Sequence, residues 1–515
     1  MSRTAIDAML VAAILGLWSV VAYLVIRVDS DIVAEAIQVQ RWLRDPWLVV
    51  SYPGQLYGGV LEYPIIALQE LVLPGNVYAL TFPRIFYLPV VGFLTVLTTQ
   101  RLFPAWKTWP FIVVVAAGPA VLHSMMAIKD LYPFSWLLAA LSVFILAREW
   151  GTRRRTWVIA VGGLLGGLAV YEHPTAALLV IPLLVLAVAR LRIGSRDVVA
   201  ASVGFAIGLI PLLFARFGQS GVYVSYQPSR PGLPNVQGAL GLNPGTDAWP
   251  TAMVPNGWGV QYTNLNAWAF PSGLQFAINV AIVVFLAACI AVVVKSARQL
   301  RFASSASPVV ALSALWSALL IVVVAITLVV PPVFFYGAAL AVPVWITLVG
   351  GINVVVGRTG FVLAWIVVAL AAATSLGSVL GWNPALPGAV GFKRAQVEIV
   401  QGVAQAIDAE GIDVVFGDYW EVLPIAYASK GRLSAVTVPT SRFEPPAEQG
   451  NESTLVAVAT GYTVLPPGLE RWPSAEQAVG FVDAQCVRLP RDVAGIETPI
   501  RIYECPVGVF SGLNS

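Results

Sequence analysis

Between residues 5 and 26 the chain carries one charged side chain, Asp7. A run of that length and polarity matches the ~20 apolar residues an α-helix needs to cross the hydrocarbon core of a bilayer. Comparable runs recur at 5–26, 77–99, 109–127, 131–147, 156–172, 175–189, 198–217, 273–294, 307–330, 332–355 and 360–381. Of the 515 residues, 58% are hydrophobic and only 11% charged, with a mean hydropathy of +0.79. A soluble domain carries about 25% charged residues. So little charge cannot cover a soluble surface of this size, which excludes a cytosolic enzyme, a nucleic-acid binder and a disordered regulator. The expected class is an α-helical polytopic membrane protein with about eleven transmembrane helices. Several spans are short or interrupted by Pro and Gly, as helices buried among other helices tolerate. No cleavage pattern follows the first span, so it is expected to stay as an anchor.

Charge placement predicts orientation. One set of loops holds Arg3, Arg101, Lys107, Arg148, Arg153, Arg154, Arg155, Arg190, Arg192, Arg196, Lys295, Arg298, Arg301 and Arg358, against only Asp7, Glu149 and Asp197. The opposite set has seven bases (Arg27, Arg41, Arg44, Arg84, Lys129, Arg216, Arg230) and nine acids. The acids are Asp29, Asp31, Glu35, Asp45, Glu62, Glu70, Asp130, Glu172 and Asp247. Lys and Arg collect on the cytoplasmic side. The N-terminus is therefore expected in the cytoplasm, and the tail after Trp382 outside a bacterial cytoplasmic membrane.

Three segments do not read as spans. Residues 27–76 form a long first outer loop, and 218–270 a second, rich in Gly, Pro, Asn and Trp. The domain boundaries read as 1–381 for the membrane part with its outer loops and 382–515 for an extracytoplasmic α/β domain. In that tail, 393–409 has helical period, while Val414–Phe416, Val436–Val438, Leu455–Val458 and Ile500–Tyr503 read as strands. Cys289 falls in a span and reads as a buried apolar residue. Cys486 and Cys505 both fall in the tail, in the oxidising compartment, and are expected to pair; two separate buried thiols are the alternative.

Candidate chemistry gathers on the outer side. Arg27-Val28-Asp29-Ser30-Asp31 follows span one directly. Next comes an amphipathic stretch with Ile32, Ala36, Val39 and Leu43 on one face and Gln38 and Arg41 on the other, which reads as a helix in the interface plane. After it, Tyr52 to Pro64 contains Gln55, Tyr57, Glu62 and a Gly-rich turn, and leads into a second apolar helix at Ile65–Leu73. Carboxylates at the top of a span are costly near lipid and face a cavity or a partner; the alternative for Asp29 and Asp31 is a hydrated end to the span. The turn between spans three and four holds His123, Lys129, Asp130, Tyr132 and Pro133, where Lys129 and Asp130 are alternatively a surface ion pair. Tyr171-Glu172-His173-Pro174 joins spans five and six, and is alternatively the polar cap of a Pro-started helix. Arg84 lies inside the boundary of span two, as a functional group or a snorkelling side chain. Acids and bases at one depth suit a reaction on a lipid phosphate. A carboxylate takes the proton of an attacking hydroxyl, and Arg or Lys stabilises the departing phosphate.

An Asp at the outer end of the first span, an interfacial helix and the block Gly54-Gln55-Leu56-Tyr57-Gly58-Gly59-Val60-Leu61-Glu62 together resemble the first loop of bacterial GT-C-fold glycosyltransferases. These are integral-membrane relatives of protein O-mannosyltransferases and of the aminoarabinose transferase of lipid A. Arg84 with Gln100-Arg101-Leu102-Phe103 resembles that family's second span. The Gly-rich stretch from Gly162 to His173 and Pro174 is similar to its fifth. Asp418-Tyr419-Trp420, followed by Ala428-Ser429, resembles its outer tail. The resemblance implies a polyprenyl-phosphate sugar as donor, no resident cofactor, inversion at the anomeric carbon, and a first-loop Asp as base: Asp31, with Asp29 as the fallback. The family's late Arg-Tyr pair is replaced by Pro332-Val333-Phe334-Phe335-Tyr336-Gly337, without an Arg. Donor-phosphate contacts then fall to Lys129, Arg84, Tyr132 and His173, and substrate contacts to Gln55, Tyr57, Glu62, Asp130 and Glu172. A divalent metal between Asp31 and Asp130, as in oligosaccharyltransferases, is the less favoured alternative.

The expected partners are a membrane lipid donor and a glycan, lipid or protein acceptor, with no nucleic acid. The Ala-, Val- and Arg-rich, Lys-poor composition suggests a high-GC bacterium, so decaprenyl-phosphate arabinose or mannose is the first donor to test. Two other functions fit the composition: a lipid or sugar transporter or flippase, and a non-catalytic membrane subunit of envelope assembly. A transporter favours inverted repeats and midplane charges, neither of which is visible here. Tyr419 and Trp420 are either sugar-stacking groups or core aromatics of the tail.

Overall fold

The computed structural model describes residues 2–25, 30–44, 58–102, 112, 132–148, 156–177, 180, 195–218, 294, 386–438, 453–459, 474–494 and 500–506. In chain order the helices are α1 (Arg3–Val25), α2 (Ser30–Arg44), α3 (Tyr63–Val72), α4 (Val77–Thr81), α5 (Tyr87–Leu102), α6 (Tyr132–Arg148), α7 (Thr156–Glu172), α8 (Ser195–Gly218), α9 (Leu386–Ala409), α10 (Tyr419–Ala428) and α11 (Ser474–Gln485). The strands are β1 (Val414–Asp418), β2 (Ser434–Val438), β3 (Ser453–Ala459), β4 (Val487–Asp492) and β5 (Arg501–Pro506). The chain divides into two compact units. One comprises Met1–Tyr23, Arg84–Ile210 and Tyr226–Leu386; the other comprises Leu24–Pro83, Pro211–Ser225 and Pro387–Ser515.

The first unit is helical and apolar. By length and composition, Arg3–Val21, Val77–Thr98 and Arg196–Phe214 are long and apolar enough to cross a membrane, and Pro133–Arg148 and Thr156–Glu172 are shorter apolar helices. These five match spans one, two, four, five and seven. Spans three, six and eight to eleven, with Cys289, lie outside or almost wholly outside the described residues. Contacts along the helices give their directions. On α1 and α5, Leu15 and Val11 meet Gly92, and the Thr4 hydroxyl donates to Gln100, so these two run antiparallel. On α5 and α6, the Tyr87 and Phe134 rings lie 5.4 Å apart near one end, and Arg101 Nε donates to the Ala147 carbonyl at 2.9 Å near the other, so they run parallel. On α6 and α7, Leu146 meets Gly162 and Ser142 meets Gly166, an antiparallel pair. On α7 and α8, Ala201 meets Gly163 and Phe205 meets Gly167, a parallel pair. This alternation is the one that spans numbered one, two, four, five and seven require.

Span two is broken where a single helix is expected. Asn76 caps α4, its Oδ1 accepting from the Tyr78 and Ala79 amides at 3.0 and 3.1 Å. Pro83 then removes an amide donor, while Phe82 before it keeps helical torsions (φ −60°, ψ −46°). The chain makes a 3-10 turn at Pro83–Phe86 before α5 begins. Arg84 therefore sits on a turn rather than on a helix face.

The second unit is a five-stranded sheet in the order β2-β1-β3-β5-β4, with helices on both faces. β1 pairs parallel with β2 and β3, and β5 pairs antiparallel with β3 and β4. Alternation along the strands makes two cores. Val415, Ala435, Ala457, Ala459 and Ile502 face one side, and Phe416, Val436, Val456, Val458 and Tyr503 the other. The second side is covered through Val479, Phe481 and Val482 of α11, and Cys486 and Cys505 are joined there by a disulfide with an S–S distance of 2.07 Å.

The first side is covered by α9, α10 and the helices of the first outer loop. Ile32, Val33, Ala36 and Val39 of α2, Ile66 of α3 and Leu80 of α4 are buried in the same core as Val403, Ile407 and Tyr427. The apolar stripe expected to lie on lipid in α2 thus packs on protein. The compact unit around the tail takes in Leu24–Pro83 as well. Helix α3 is two-sided: Tyr63, Ile66, Ala67 and Glu70 are buried, while Leu68, Leu71, Val72 and Leu73 are exposed.

Candidate functional site

Three of the sequence-predicted residues collect in the first unit. The helix directions place the start of α5, the start of α6 and the end of α7 at one end of the helical layer. Arg84, three residues before α5, is fully buried at 0% exposure. Glu172 and His173 close α7 and are buried as well, with Tyr171 beside them. The 3-10 turn at Pro174–Ala176 follows, and it packs on α6 as well as on α7. Tyr132 is the first residue of α6, its side chain outside the description. Lys129 and Asp130 precede it in the sequence and lie outside the described residues, as does His123.

The other end of the layer carries the bases. Arg3 opens α1, Arg101 and Arg148 close α5 and α6, and Arg196 opens α8. Arg101 ties two of these ends together, donating through Nε to the Ala147 carbonyl at 2.9 Å and through Nη2 to the Arg148 carbonyl at 2.6 Å. At the same end Thr156 donates to Asp197 at 3.4 Å, joining the starts of α7 and α8. The helical layer thus has one end of exposed, basic helix termini and one end where an Arg, a Glu and a His are buried. Burying three ionisable side chains is costly unless they are paired or serve a polar site. That contrast singles out the second end.

The first-loop candidates belong to the second unit. Asp31 occupies the first turn of α2, with its backbone described and its side chain not. Asp29, Gln55 and Tyr57 lie outside the described residues. Glu62 is buried immediately before α3. Asp418, Tyr419 and Trp420 stand where β1 passes directly into α10, their side chains likewise outside the description. Among the described residues no three His, Cys, Asp or Glu side chains gather into a metal-binding group.

One polar centre in this unit was not singled out from sequence. Glu70, on the buried face of α3, accepts the Tyr427 hydroxyl on Oε1. Its Oε2 accepts the Gln40 amide at 2.7 Å and the Gly75 N–H at 3.4 Å. Burial pushes the Glu70 carboxyl above the ordinary carboxylate range despite these three donors, and it drives the Tyr427 phenol well above its usual range. Nearby, Arg44 Nη1 donates to the Gly431 carbonyl at 2.8 Å. Gly75, at φ +69°, runs so close to the Tyr427 carbonyl that a Cβ there would lie 3.1 Å from it.

Among solved structures, the chain is similar to the crystal structure of ArnT from Cupriavidus metallidurans bound to undecaprenyl phosphate. The identity is 13% and the TM-score 0.40, over 99% of each chain. No family model matches the chain, and no curated protein matches it.

Proposed function

We propose that this chain is a membrane glycosyltransferase that moves a sugar from a polyprenyl-phosphate donor to an acceptor hydroxyl at the outer face of the cytoplasmic membrane. The observation that carries the reading is the position of the Asp29–Asp31 pair. Asp29 falls between a membrane-length apolar helix that ends at Val25 and an amphipathic helix that begins at Ser30, and Asp31 stands in the first turn of that second helix. An acid there meets both a lipid-borne donor and a water-borne acceptor. Buried Arg84, Glu172 and His173 at one end of the helical layer support the same reading, as does the resemblance of the Gln55 to Glu62 block to the GT-C first loop.

In the proposed step the Asp31 carboxylate takes the acceptor O–H proton. The acceptor oxygen bonds to the anomeric carbon from the side opposite the phosphate, and the C1–O bond to phosphate breaks with inversion. Polyprenyl phosphate leaves, its charge met by Arg84 and Lys129, with Tyr132 and His173 as further phosphate contacts. Gln55, Tyr57, Glu62, Asp130 and Glu172 are assigned to the sugar and acceptor. The Cys486–Cys505 bond fits an extracytoplasmic tail.

The test is transfer from decaprenyl-phosphoryl arabinose or mannose by full-length protein in lipid nanodiscs. Asp31→Asn is expected to lower kcat by at least ~100-fold, the span of a lost general base, with membrane expression unchanged. Full transfer by both Asp31→Asn and Asp29→Asn sinks the assignment and favours the non-catalytic subunit.

A further inference from the structure

Beside the shared apolar core, polar contacts between the first outer loop and the tail converge on one turn of chain, the stretch from Tyr427 to Gly431 that closes and follows α10. Three contacts from the loop converge on it. Glu70 accepts the Tyr427 hydroxyl across 357 residues of sequence. Arg44 donates to the Gly431 carbonyl at 2.8 Å. The Gly75 backbone lies against the Tyr427 carbonyl and the Lys430 side chain. The turn itself is held in shape. Lys430 and Gly431 both have positive φ, at 60° and 78°, and the Ser429 hydroxyl donates to the Ala426 carbonyl at 2.6 Å.

Gln40 connects this junction to α2. Its amide donates to Glu70, while its Oε1 is buried with no hydrogen-bond partner among the described residues. Glu70 therefore joins α2, α3 and α10 at a single point. Apolar packing alone would hold the three elements together, and a buried carboxylate is a poor device for adding stability. What a directional, fully buried tie adds is one register. Helix α2 needs that register most, because its first turn carries Asp31 while its last turns carry Gln40 and Arg44.

We propose that Glu70 and Tyr427 form a clasp by which the tail positions the catalytic end of α2, making both of them positioning residues for transfer. The proposal rests on the glycosyltransferase reading for its kinetic consequence but not for its structural one. Truncating the clasp frees α2 to slide on the tail without touching substrate. Tyr427→Phe removes the hydroxyl and keeps the ring. Glu70→Ala removes the acceptor for Tyr427, Gln40 and the Gly75 N–H and leaves the Arg44–Gly431 bond in place. Glu70→Gln keeps the shape and the two shorter bonds: its oxygen still accepts from Tyr427, and its amide donates to the idle Gln40 oxygen after that side chain flips, while only the long Gly75 N–H contact at 3.4 Å is given up.

The experiment is hydrogen exchange on the full-length protein in nanodiscs, alongside the transfer assay. Tyr427→Phe and Glu70→Ala are expected to speed amide exchange at least tenfold across Ser30–Arg44 and Tyr63–Val72. Exchange in Arg3–Val25 and Val414–Asp418 stays as in the wild type. Arg44→Ala, at the exposed edge of the junction, gives a smaller rise confined to Ser30–Arg44. Transfer by Tyr427→Phe falls about tenfold in kcat with donor KM within twofold, and Glu70→Gln restores both readouts to within twofold of wild type. Unchanged exchange in Ser30–Arg44 overturns the clasp, and so does equal behaviour of Glu70→Gln and Glu70→Ala. If Asp31→Asn abolishes transfer while Tyr427→Phe keeps full kcat, the clasp fails alone. If both aspartate variants stay active, the enzymatic reading fails, and the exchange result still decides the clasp.

Discussion

A carboxyl that is only 5% exposed and takes three donors has two opposing influences on its proton. For Glu70 burial is the larger, so its folded pKa lies above the ordinary value of 4.5. The sign follows from linkage: a native state that holds the proton more tightly than the unfolded chain loses stability as pH rises through the folded pKa. Glu70 therefore contributes most below about pH 4.5 and progressively less above it. Glu70→Gln, which never ionises, should gain Tm relative to wild type as pH is raised from 4.5 to 8, with the difference vanishing at the acid end. Thermal unfolding across that range checks it; a difference that is flat with pH contradicts the burial argument. The residue scale is also where sequence was least legible. Arg84, Glu172 and His173 stand out because an ionisable group inside an apolar run is expensive wherever the run goes. Glu70 sits in a similar run, yet its meaning depends on Tyr427, whose proximity no local pattern records.

At the scale of elements, the clearest packing device is the α7–α8 crossing. Gly163 and Gly167 on one helix face Gly204 and Gly208 on the other, spaced four apart on both. A Cβ on Gly163 would lie 2.1 Å from the Ala201 carbonyl oxygen, and one on Gly204 2.1 Å from that of Ala160. The backbones touch, which is how small residues hold helices together in lipid, where no hydrophobic effect drives association. Gly167→Leu should force the pair apart and cost ~1–3 kcal/mol, visible as a lower melting temperature in detergent; an unaltered melting temperature means the crossing is not tight. The glycines were legible as a Gly-rich span but not as a crossing, since their partners lie a span away. The strands were located correctly and cut short by a residue or more at one or both ends. Helices α10 and α11 and strand β4 went unread; of these, β4 is mostly exposed and lacks an apolar alternation. Helix α2 is legible as a helix from its apolar stripe, but what covers that stripe is not. An amphipathic stripe looks the same whether lipid or a protein core lies against it, and only the sheet formed by residues 414–506 distinguishes the two.

At the scale of the whole molecule, the five described apolar helices alternate in direction, and Arg3, Arg101, Arg148 and Arg196 gather at one end of the layer. The Cys486–Cys505 bond closes a loop of 19 residues by separation. A loop of that size is worth about 3 kcal/mol in the chain-entropy account. Reducing it, or replacing both cysteines with Ser, should lower the melting temperature of the α/β unit. After reduction, a membrane-impermeant maleimide should label Cys486, which is only partly buried, in intact cells; labelling only after lysis would place the tail on the wrong side.

The shared core of the second unit also sets an order of events during synthesis. Ile32, Val33, Ala36 and Val39 leave the ribosome early, whereas the strand residues they cover, Val415, Ala457 and Ile502, are made last. Until the C-terminus arrives, that helix has no mate of its own, and a nascent chain exposes an apolar stripe of the kind that recruits chaperones or aggregates. A nonsense mutation anywhere before the final strand therefore does more than delete a tail: it orphans a segment near the beginning, so truncated products should be cleared by proteolysis rather than persist as shortened enzymes.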